Sequence, residues 1–154
     1  MRYRRTLVGL VLVLATSSLS FKCGGGQPGQ DDPVRKAAKA ADTIAGSINE
    51  MIKVKRQLAQ QKTIAPGEEL ALTNALLKAN TADKAFLAAT KQLNGTPTAA
   101  DKSNLGTLFA AVSASVNELD AGVLGVKNPD AKTKLTTILN TIKASLAVIS
   151  QLTQ

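Results

Sequence analysis

Few side chains in this sequence could do chemistry, and they are scattered. There is one cysteine, Cys23, and no histidine, and 11 carboxylates are spread along 154 residues. A zinc, copper or haem centre recruits His or several Cys, so the composition supplies no ligand set for one. The di-iron arrangement of helical bundles needs Glu-x-x-His motifs on facing helices and fails for the same reason. Serines are plentiful, but none stands in Gly-x-Ser-x-Gly and no imidazole can serve as base. Among the carboxylates, Glu118 and Asp120 stand two residues apart, so on a helix they point in different directions. Glu68 and Glu69 fall at a helix start, where the positive end of the dipole is reason enough for them. Asp83 and Asp101 are isolated in sequence. Neither an Asp-rich calcium loop nor a phosphate-cradling Gly-x-x-x-x-Gly-Lys-Ser/Thr loop occurs. The expectation is a protein that is not an enzyme and carries no cofactor and no metal.

The one thiol has an informative position. "MRYRR" is a positive segment, "TLVGLVLVLA" a short apolar one, and "TSSLS" supplies small residues, so residues 1–22 read as an export signal. The uncharged run from Thr6 to Phe21 is about 16 residues, short of the ~20 that span a bilayer. Cys23 follows at once, and "GGGQPGQDD" after it has the glycine content of a mobile spacer. This order of signal, lone Cys and spacer resembles the leader of a bacterial lipoprotein, in which the cysteine is lipid-modified and becomes the first residue. The resemblance implies that Cys23 anchors the chain to a membrane, facing outside the cytoplasm. It covers only the first 32 residues, and Ser20 and Lys22 depart from the usual Leu and small residue before such a cysteine. The other routes are a cut after Ser20, which leaves Cys23 a lone thiol on a secreted or periplasmic protein, and retention of residues 1–22 as a membrane anchor. A stabilising intrachain disulfide is excluded, since there is no second cysteine.

The remaining chemistry is charge. The formal net charge is +8, and Arg2, Arg4, Arg5 and Lys22 of the leader supply part of that excess. The rest is only mildly basic and almost without aromatics, which gives no footprint for nucleic acid. One local cluster, Lys53, Lys55, Arg56 and Lys62 among Gln57, Gln60 and Gln61, is the candidate contact for an anionic surface. A solvated helix end with its lysine stems along the surface is the simpler reading of it.

Four segments with helical periodicity must position these residues. The first has Asp32 as cap and Pro33 in its first turn. Its seam of Val34, Ala41 and Ile48 interleaves with Ala37, Ile44, Met51 and Leu58, and it is expected to run to about Thr63. Lys55 and Lys62 continue that seam, where a buried charge is costly. Either this end overhangs the bundle, or it meets something that wants a cation. The second segment opens at Pro66. Its expected seam is Leu72, Ala79, Phe86 and Leu93 with Ala75, Ala82 and Ala89, and Asn94-Gly95 stops it. The third opens with Thr98 and Asp101 as a capping box and carries Leu105, Val112, Leu119 and Val126, joined by Leu108, Phe109, Val116 and Val123. The fourth has Asn128 as cap, Pro129 at the first position, and a stripe of Leu135, Ile138, Ile142, Ile149 and Leu152 supported by Leu139 and Leu146.

Short connections make neighbouring helices antiparallel. The expected fold is all-α: an up-down four-helix bundle over 33–154, after an export signal over 1–22 and a flexible tether over 23–32. The alanine seam of the second helix, with Ser115, Gly122 and Ser145, allows close helix approach. It could also border a narrow apolar cavity. The functional expectation is a non-enzymatic, exported, lipoprotein-like bundle of the cell envelope. It would act through a protein partner or an anionic envelope surface, with a membrane anchor at Cys23 and no nucleic acid. The alternative is a carrier of a small apolar ligand or lipid within the bundle.

Overall fold

A computed structural model describes residues 33–93 and 97–152 of the chain. The export signal over 1–22, the tether over 23–32 with Cys23, the Asp32 cap and the Asn94-Gly95 stop lie outside the described residues. About 90% of the described residues are helical, and no strand occurs among them. The helices are α1 (Pro33–Gln60), α2 (Pro66–Gln92), α3 (Ala99–Leu124) and α4 (Pro129–Leu152).

Local chemistry sets most of the boundaries. At α3, the Thr98 hydroxyl accepts from the Asp101 backbone N–H at 3.2 Å, and an Asp101 oxygen accepts from the Thr98 N–H at 2.8 Å. This is the reciprocal capping box, which satisfies donors the helix cannot use itself. At α4, the Asn128 side-chain oxygen accepts from the Ala131 N–H at 2.9 Å, with Pro129 at the first position. At α2, only half a box forms. Glu68 Oε2 accepts from the Ala65 N–H at 2.8 Å, but Ala65 has no side-chain acceptor to return the bond.

The first helix stops sooner than its periodicity predicts. Lys62 has φ 55°, in the left-handed region. Its N–H donates to Ala59 O at 3.0 Å, and the Thr63 N–H donates to Leu58 O at 2.9 Å. These two bonds define a Schellman turn with Lys62 in the place usually held by glycine. Ile64 then tucks in beside the core, 6% exposed, and Pro66 opens α2.

The helices form a ring in which α1 packs on α2 and α4, and α3 packs on α2 and α4. Cross-helix bonds give the directions. Lys55 meets Thr73 while Asp42 meets Lys91, so α1 and α2 are antiparallel. Lys78 meets Glu118 while Glu68 meets Lys127, so α2 and α3 are too. This is a four-helix bundle. Its core comprises Ile44, Ile48 and Met51 of α1, Leu72, Leu76, Ala79 and Phe86 of α2, Val112, Val116 and Leu119 of α3, and Leu135, Leu139, Ile142 and Ile149 of α4. Among the described residues, no helix is long and apolar enough to cross a membrane.

One seam differs from its expectation. In α2, Leu72, Ala79 and Phe86 are buried as expected, but their partners are Leu76, Asp83 and Thr90. Of the expected alanines, Ala75 is buried, whereas Ala82 and Ala89 are half-buried on the flank. Helix register follows spacing and rotation, and residues four apart share a face whatever their polarity. The apolar alanines therefore drew the line to one side of its true position.

Candidate functional site

The four cations Lys53, Lys55, Arg56 and Lys62 lie at the C-terminal end of α1 or in the turn after it, but the fold does not use them alike. Lys53, Arg56 and Lys62 are exposed, and they take part in no ion pair among the described residues. Lys55 is buried, 7% exposed. Its ammonium donates to Thr73 Oγ1 at 2.7 Å and reaches Glu69 Oε1 at 3.4 Å, both on α2. The Thr73 hydroxyl is in turn oriented by donating to Glu69 O at 2.7 Å. The cation on the seam is thus met inside the molecule. A buried ammonium needs such acceptors, because desolvation without them costs several kcal/mol.

The antiparallel ring adds a cation from a distant part of the sequence. Lys134, in the second turn of α4, lines an open groove of about 380 Å³ beside the end of α1, with Glu50, Val54, Gln57 and Leu58 on the α1 side. Lys134 makes no ion pair among the described residues. The spacing in "DAKTKL" marks Lys134 as a surface residue but cannot say which helix it stands beside. On the opposite side of α1, acids at this end are engaged. Glu69 meets Lys55, and Glu68 receives the Ala65 and Lys127 backbone N–H groups, the latter at 3.1 Å. Those N–H donors, that of Ala65 foremost, hold the Glu68 carboxyl below the usual carboxylate range.

The carboxylate most altered by the fold is one that stands isolated in sequence. Asp83 is 0% exposed. Neither of its oxygens has a hydrogen-bond partner. Desolvation, joined by the like charge of Asp42 on α1, pushes its pKa up to about 7. The signal that could have found it is the spacing of Leu76, Ala79, Asp83, Phe86 and Thr90, which places an acid on the buried line.

The small residues serve close packing. A methyl group placed on Gly122 would sit 3.4 Å from Leu72 Cδ2, so α2 and α3 meet closely there. The Ser115 hydroxyl folds back to donate to Val112 O at 2.7 Å, and that of Ser145 to Thr141 O at 3.1 Å. Among the described residues, no group of three or more His, Cys, Asp or Glu gathers where an ion could be held. No known protein family, no curated protein and no solved structure matches this chain. The class reached is an all-helical four-helix bundle with an uneven distribution of charge.

Proposed function

We propose that the chain is a non-enzymatic, lipoprotein-like bundle of the bacterial envelope that acts by contact with a protein or an anionic envelope surface. The observation that carries this reading is the set of exposed cations at one end of the bundle that make no ion pair among the described residues. Lys53, Arg56 and Lys62 come from α1 and the turn after it, and Lys134 from the start of α4. Exposed cations of one sign attract lipid headgroups or acidic polymers, each contributing about 1 kcal/mol near an anionic membrane. Lys55 belongs to the fold and takes no part in that contact. In this reading residues 1–22 export the chain, and Cys23 carries the acyl chains. The spacer after Cys23 holds the bundle away from its own membrane, outside the cytoplasm. Each buried methylene contributes about 0.8 kcal/mol, so two chains anchor the protein without protein–lipid contact.

Binding of the soluble body, residues 33–154 without the acylated Cys23, to vesicles tests the contact. Attachment to vesicles with anionic lipid, and not to neutral ones, is expected. Replacing Lys53, Arg56 and Lys62 together by Gln should weaken it and flatten its salt dependence. Binding unchanged by that substitution would make these residues an ordinary solvated face. The mass of the mature N-terminus tests the anchor separately: an acylated Cys23 supports it, and a free Phe21 terminus rejects it.

A further inference from the structure

Among the described residues, the Asp83 oxygens are the side-chain polar atoms that are shut off from solvent without a hydrogen-bond partner. Thr90, Ser115 and Ser145 are also buried, and each donates its hydroxyl to a carbonyl three or four residues back in its own helix. An ionised carboxylate cannot do this. The backbone presents only carbonyl oxygens at those positions, and a carboxylate has no proton to give. Only the protonated acid carries a donor. Both Asp83 oxygens are without a partner, so the charged form gains no compensation for leaving water.

No cation from a neighbouring helix compensates either. α2 packs on α1 and α3. From α1, the charge that bears on Asp83 is the like charge of Asp42. Asp42 itself is exposed and held only loosely by Lys91, at 3.8 Å. On α3, no titratable residue lies between Lys102 and Glu118, and Glu118 is bound by Lys78 at 2.6 Å. On α2 itself, Lys78, Lys84 and Lys91 are exposed.

We propose that Asp83 is a proton-controlled latch on α2: protonated, it lets the seam close against α1 and α3, and ionised, it loosens that seam. Burial and Asp42 raise its pKa from 3.8 to about 7, so the change of state has its midpoint near neutrality. The closed bundle holds a proton that the opened one releases. Closure is therefore fully favoured below the ordinary carboxylate value, weakens as pH rises towards about 7, and levels off above it. Each pH unit inside that window shifts the opening equilibrium by up to about tenfold.

Amide exchange of the full purified chain, corrected for the intrinsic effect of pH, reads the latch directly. Opening of α2 over residues 76–90 should rise by at least about tenfold between about pH 5 and about pH 7. Asp83→Asn should abolish that rise. Equal protection at both pH values, or the same rise in Asp83→Asn, would overturn the proposal. A carbon-13 titration of the Asp83 carboxyl in the unsubstituted chain needs no variant to fold. A midpoint near neutrality supports the latch, and a midpoint in the ordinary carboxylate range rejects it.

Discussion

Lys55 and Lys62 stand seven residues apart on the same seam of the sequence, yet the fold treats them oppositely. Lys55 lies inside the helix, so its ammonium must be met from a neighbour, and Thr73 and Glu69 of α2 meet it. Lys62 lies two residues beyond the helix, where the chain reverses with φ 55°. A residue with a side chain strains in that region, at about 1–2 kcal/mol, and glycine does not. Lys62→Gly should therefore stabilise the chain by about 1 kcal/mol, less the extra freedom that glycine adds to the unfolded state. A urea melt with an unchanged slope and a higher midpoint would bear this out. A lower midpoint would mean that the turn does not strain Lys62.

At the scale of elements, the starts of α2, α3 and α4 have different arrangements, and these differ in strength. The start of α3 has both halves of its capping box, and the start of α2 has one. Thr98→Ala removes the acceptor for the Asp101 N–H and the hydroxyl that donates to its carboxylate at 2.7 Å. A loss of about 1 kcal/mol is expected, measured by thermal or urea unfolding. A change within error would mean that water replaces the cap at no cost. The interior of α2 has a different logic. Leu72, Leu76, Ala79, Asp83, Phe86 and Thr90 form its buried line, and an acid occupies that line because spacing, and not polarity, decides which residues turn inward.

Across the whole molecule, the shifted carboxylates oppose one another. The Asp101 carboxyl is held low by its bonds from Thr98, the side-chain bond foremost, and Glu68 is held low chiefly by the Ala65 N–H. These groups stabilise the fold above their unfolded values, and their contribution is lost as pH falls through their lowered folded values. Asp83 does the reverse, since its folded value of about 7 lies above the ordinary 3.8. Its contribution is whole below the ordinary value and is lost as pH rises from there to about 7. Stability should therefore peak at mildly acid pH, near about 4–5, fall towards neutrality and then flatten. Urea midpoints across pH test this. A maximum at neutral pH would contradict the burial of Asp83, and Asp83→Asn should move the maximum towards neutrality.

By itself the sequence determined the helices, the caps of α3 and α4, and most of the core. Those depend on neighbours along the chain: Thr98 with Asp101, Asn128 with Ala131, and Leu, Ile and Val at helical spacing. It also marked Lys55 as a charge out of place, because a lysine on an apolar seam conflicts with its surroundings wherever the chain folds. Only the tertiary structure decided how that conflict resolves, since Thr73 and Glu69 reach Lys55 through the antiparallel pairing of α1 with α2. The same holds for Lys134 beside the end of α1. It holds most of all for Asp83: helical spacing puts it on the buried line of α2, but only the packing of α1 and α3 against that line leaves both its oxygens without a partner.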